Sequence, residues 1–142
     1  MTDRQDKQFV RAEAILEGRC NGLGEPILWH LALRRYGPAM LSLACRATQT
    51  GSRTALGRVR DAFSPAGMMY RAFRQGELNA AQNMALSLFY LGDLSGYRRW
   101  MHRAARSGDT DAAFELKLFE VRQPYPLARQ LRRLRPYRRR ER

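Results

Sequence analysis

Three segments of the chain end in one frame: residues 26–37, 65–76 and 97–108. Each sets a large apolar residue eight positions before a glycine (Trp29, Met68, Trp100) and a smaller one four before it (Leu33, Ala72, Ala104). Each also has an arginine two before the glycine: Arg35, Arg74 and Arg106. Positions four apart stack on one helix face. Pro26 and Pro65 suit a first helical turn, where the missing N–H removes no intrahelical bond. Gly37, Gly76 and Gly108 suit left-handed C-terminal caps. The frame predicts three short helices, the B helices.

More apolar segments lie between them. Residues 39–47, 80–91 and 112–121 read as A helices, the second with Ala81, Met84, Ala85, Leu88 and Leu91 on one stripe, the third with Ala112, Leu116 and Phe119. Asn79 and Asp111 stand where N-caps belong. Leu86, Phe89 and Tyr90 lie off the stripe, and a helix apolar on much of its circumference is expected to be sandwiched. Residues 4–18 read as an opening A helix. Residues 127–135, with Leu127, Leu131 and Leu134 in line, read as a closing B helix between Pro126 and Pro136. The frame glycines are 39 and 32 residues apart, so loops vary between constant hairpins. The long connection runs from Thr48 to Pro65, with a helical turn expected within Ala55–Ala62. Val, Ile and Thr together supply ten residues, whereas Ala alone supplies 18, which argues against a sheet. The expected fold is all-α: a short right-handed α-solenoid of about four αα-hairpins. Residues 1–135 form one repeat domain and residues 136–142 a flexible basic tail. Trp100, Ala104, Ala81 and Met84 are expected to meet in one inter-helix core.

The stretch from Ala80 through Gly92-Asp93 to Trp100, Ala104-Ala105 and Gly108 resembles a SEL-one-like repeat, a relative of the tetratricopeptide repeat. The shared features are the A-x-x-x-[LM] start at Ala80–Met84, the aromatic Trp100, the Ala-Ala pair and the glycine after it. The likeness is best over residues 77–116 and degenerate over 26–76, where Met68 replaces the aromatic and Ala72-Phe73 the Ala-Ala pair. The usual Leu-Gly of the first helix appears as Met84-Ala85 and Leu116-Lys117. The resemblance implies a protein-binding adaptor of a kind frequent in bacteria, and it brings no catalytic residues.

Charge is uneven. The net charge is +13, and residues 122–142 hold nine arginines and one glutamate, hence +8 of it. Arginine outnumbers lysine 24 to 2. Such a bias reads either as phosphate recognition by planar guanidinium forks or as a genome whose codons favour arginine. The frame places Arg35, Arg74 and Arg106 in a row across successive B helices, with Arg135 as its extension and Arg71 and Arg103 one turn earlier. That ridge either meets an acidic partner or is a solvated last turn whose cations complement the helix dipole. The tail, with Arg129, Arg132, Arg133, Arg135, Arg138, Arg139 and Arg140, reads in three ways. It is a closing helix docked by its leucines, a phosphate-binding segment, or an amphipathic segment for an anionic membrane.

Little in the sequence carries chemistry. Two cysteines 25 positions apart give neither a disulfide scaffold nor a structural zinc site. His30 and His102 lack ligand-spaced partners on their helices. Cys20 follows Arg19 in a loop without a catalytic partner, and Cys45 is expected in the core. Gly18, Gly22 and Gly24 follow no strand, so a phosphate-binding fingerprint is excluded. No enzyme, cofactor, metal or small-molecule substrate is expected. No apolar run approaches the ~18 residues of a membrane span, and the polar start carries no secretory signal, so a soluble cytoplasmic protein is expected. The leading expectation is a protein-binding adaptor or small inhibitor for a partner with an acidic surface. Its contacts would be Gln82, Asn83, Ser87, Arg71, Arg74, Arg103 and Arg106. The alternative is a basic nucleic-acid-binding protein using the tail and the Arg ridge.

Overall fold

The structure is a computed structural model that describes residues 3–49 and 53–122. Every regular element among them is a helix. In chain order these are α1 (Asp3–Leu16), α2 (Gly24–Leu33), α3 (Gly37–Thr48), α4 (Arg53–Leu56), α5 (Pro65–Arg74), α6 (Leu78–Tyr90), α7 (Leu94–Arg106) and α8 (Thr110–Arg122). The expected closing helix 127–135, the tail 136–142 and the tail arginines lie outside the described residues.

Each long helix packs chiefly on its neighbours in the chain, so α1 with α2, α3 with α5 and α6 with α7 form helical hairpins; α3 also touches α6. The turns explain this order. Four of them have three residues each: 34–36, 75–77, 91–93 and 107–109. In all four the middle residue is left-handed: Arg35 (φ 61°), Gly76 (98°), Gly92 (80°) and Gly108 (100°). The N–H after it bonds back to the last helical turn, in Tyr36 to Leu31, Glu77 to Ala72, Asp93 to Leu88 and Asp109 to Ala104. This is the Schellman arrangement, which satisfies terminal carbonyls while reversing the chain.

Gly76, Gly92 and Gly108 thus stand 16 residues apart, and α6, α7 and α8 are each 13 residues long. The same register aligns buried residues: Ala80 with Gly96 and Ala112, and Met84 with Trp100 and Leu116. The 32-residue spacing from Gly76 to Gly108 is double this period, whereas the 39-residue spacing from Gly37 is not.

The first frame differs from its sequence reading. Gly37 opens α3 instead of capping α2, and Arg35 takes the left-handed position. A Cβ on Gly37 would stand 2.9 Å from Glu77 Cγ, so this glycine serves close approach, not handedness. The register of α2 therefore shifts by two residues. Leu28, Leu31 and Ala32 are buried, Trp29 is half-buried, and Leu33 is 64% exposed. The N-caps also move: Asp109 Oδ1 accepts the Ala112 N–H at 3.0 Å and Glu77 precedes α6, which leaves Asn79 and Asp111 inside first turns. Ser64 and Asp93 cap α5 and α7 through the Gly67 and Gly96 N–H groups. The helical turn in the long connection is α4, earlier than expected.

The core is built from alanine and methionine. Ala39, Ala44, Ala72, Ala80, Ala81, Ala85 and Ala104 let helices approach closely, while Met40, Met68, Met69, Met84 and Met101 fill the gaps left. Trp100, Ala104, Ala81 and Met84 all join this cluster, as expected. Tyr70 and Phe73 meet Trp100 in T-shaped contacts, with centroids 6.2 and 6.0 Å away, which ties α5 to α7. Arg98, 5% exposed, donates from Nε to Glu120 Oε1 at 3.2 Å and ties α7 to α8. Ser42 donates to Glu13 at 2.7 Å and Tyr36 donates to Asp6, which fix α1 beside α3.

Candidate functional site

Two surfaces differ from the rest. The first is a groove between the C-terminal half of α3 and α6, enclosing a cavity of about 540 Å³. Cys45, Thr48 and Gln49 line one wall, Asn83, Leu86, Ser87 and Tyr90 the other, with Leu56, Met69 and Leu91 between. No charged side chain is among these lining residues, in a chain where charged residues are 27%. Thr48 Oγ1 donates to the Ala44 carbonyl at 3.0 Å and Ser87 Oγ to the Asn83 carbonyl at 2.9 Å, so both hydroxyl protons stay within their own helices. The amides of Asn83 and Gln49 bring paired donor and acceptor capacity, the combination a peptide group requires. Burial pushes the Cys45 thiol pKa up, which disfavours its thiolate.

Of the residues expected to bind a partner, Asn83 and Ser87 line this groove. Gln82 is half-buried on α6 beside it and does not line it. The sandwich expected around α6 closes on one side only: Leu86, Phe89 and Tyr90 are 41%, 42% and 77% exposed. Sequence reasoning missed the other eight lining residues, and among them Leu86 and Tyr90 of α6 carried a signal. Their off-stripe position was the signal, and it marked an open face where a covered one was expected. Cys45 likewise stands on a wall, half-buried, instead of inside the core.

The second surface lies on α5 and α7, which hold Arg71 and Arg74, and Arg98, Arg99, Arg103 and Arg106, without one aspartate or glutamate. The Arg103 guanidinium sits over the Trp100 ring at 4.4 Å from its centroid. Arg99, Arg103 and Arg106 follow a four- and three-residue spacing, hence one stripe of α7. Arg71 turns back, donating from Nη1 to the Gly67 carbonyl at 3.1 Å and the Val59 carbonyl at 3.4 Å, and so holds the preceding loop. The two-residue shift of α2 removes Arg35 from the row. The position equivalent to Arg74 and Arg106 is Leu33, so among the described residues the ridge spans α5 and α7.

Among the described residues no three His, Cys, Asp or Glu side chains come together as metal ligands. His30 is exposed, and His102 Nε2 lies 3.9 Å from Glu120 Oε1. No helix among them is long and apolar enough to cross a membrane. Comparison of the chain with known protein families, curated proteins and solved structures found no match.

Proposed function

We propose that this chain is a non-enzymatic adaptor or small inhibitor that acts in the cytoplasm by binding a partner protein on its helical array. In this reading the hairpins continue as a short right-handed α-solenoid of the SEL-one-like type, with residues 1–135 as its single domain. The observation that carries the proposal is the uncharged groove between α3 and α6. An apolar floor with a few placed amides suits a segment of protein chain, whose side chains supply burial and whose peptide groups pair with Asn83 and Gln49.

Affinity capture from the native cell, with and without nuclease, tests this reading. The expected result is a protein that survives nuclease and moderate salt, and that is lost with Leu86→Glu or Asn83→Ala while the fold persists. A second reading, nucleic-acid binding, draws on the arginine stripe of α7. It takes over if nuclease releases every captured protein and deletion of residues 136–142 alone abolishes capture.

A further inference from the structure

We propose that the α5–α7 face is a second binding surface, separate from the groove, that takes an acidic helical segment of a protein, with Arg103 as its anchor. The inference goes beyond the groove reading and does not depend on it.

Arg103 is built for oxyanion recognition. The guanidinium carbon lies 4.4 Å from the Trp100 ring centroid, a cation–π contact that holds the side chain in place, and the group carries five N–H donors in a planar fork. Tyr70 and Phe73 hold the indole from the α5 side, so the platform under Arg103 is fixed by two helices. A fork held in this way loses little freedom when it pairs bidentately with a carboxylate. Arg99 and Arg106 stand on the same stripe, with rises of about 6 and 4.5 Å from Arg103 along the axis. Carboxylates on a helix at four- and three-residue spacing repeat those rises. Arg74 adds a cation at the end of α5, which runs in the same direction as α7 because each meets α6 through a three-residue turn. Neither α5 nor α7 bears a carboxylate of its own, and Glu120 of α8 reaches α7 at Arg98 and His102. Asp93 and Asp109, which flank α7 in the chain, accept the Gly96 and Ala112 N–H groups as caps.

The choice of an acidic protein over a nucleic acid rests on the rings. Base stacking on an aromatic side chain contributes about 1–3 kcal/mol per base where single strands are bound. Here Trp100 is 4% exposed, its face lies under Arg103, and Tyr70 and Phe73 turn toward it. On this face no indole is offered to a base.

The test uses the full chain and three fluorescent probes: a helical peptide with glutamates at alternating three- and four-residue spacing, the same composition scrambled, and a single-stranded oligonucleotide of equal charge. The ordered peptide should bind tightest. Arg103→Gln should weaken it about tenfold, the scale of one charge-assisted bidentate contact. Arg103→Lys should weaken it several-fold although the charge is kept, whereas Arg138→Lys in the tail should change nothing. Arg99→Gln, off the ring, should give a smaller loss and guards against a packing effect of the Arg103 variants. Equal binding of ordered and scrambled peptides, or indifference to Arg103→Lys, overturns the proposal. Oligonucleotide binding that is tighter than the peptide's and depends on Arg103 overturns it in favour of phosphates. Leu86→Glu should leave this binding intact, so failure here and failure of the groove reading are separable.

Discussion

The carbonyl oxygen of Asp61 fills the space that a side chain on Gly67 would need. Gly67 is buried in the first turn of α5, and its N–H donates to Ser64 Oγ at 3.0 Å. Ser64 Oγ also donates toward the Arg58 and Asp61 carbonyls, so the loop before α5 is folded over the helix start.

Replacement of Gly67 by alanine therefore forces backbone against Cβ. A destabilisation of about 1–3 kcal/mol is expected, in the range of overpacked cores. Urea melts measure it; a loss below 0.5 kcal/mol, roughly the scatter of neutral surface changes, would show that the loop moves aside freely.

Trp100→Ala should destabilise by about 3–5 kcal/mol, because the ring is 4% exposed and packs against Tyr70, Phe73 and Arg103. Trp100→Phe should recover part of this. Equilibrium unfolding of both variants checks the order.

Arg35→Gly should stabilise the protein by about 1 kcal/mol. Arg35 holds a φ of 61° with an exposed side chain, and the left-handed region penalises a Cβ. A variant less stable than the parent would mean that the guanidinium has a structural partner.

Stability should fall steeply in strong alkali through Tyr36. Its phenol is pushed up to about 12, first by burial, then by the hydrogen bond to Asp6 and the nearby Asp6 and Glu77 charges. A pKa raised in the folded state contributes stability that is fully present below the unfolded value of about 10. That contribution is lost as pH rises through about 12. Unfolding free energy should thus show no Tyr36-dependent slope below about pH 10 and decline above it. Tyr36→Phe should remove its share of that decline, read as the difference between the two pH profiles.

The sequence by itself determined the helices. Scarce β-branched residues, prolines at helix starts and glycines at helix ends set the elements, and the stripes Ala81-Met84-Ala85 and Ala112-Leu116-Phe119 named their buried sides. Those signals are local, acting within one or two helical turns, so they survive without tertiary context. What only the tertiary structure decided is where non-local space runs out. Gly37 looked like its counterparts Gly76 and Gly108, yet it opens α3 with the Glu77 side chain of the α5–α6 turn packed beside it, and the cap falls to Arg35. That two-residue slip removed Arg35 from the arginine row and left Leu33 outside. Leu86 and Tyr90 followed the same logic: their apolarity was legible, but whether a helix covers them depends on how far α3 and α6 part. The groove exists because they part there, and no local pattern records a distance between helices.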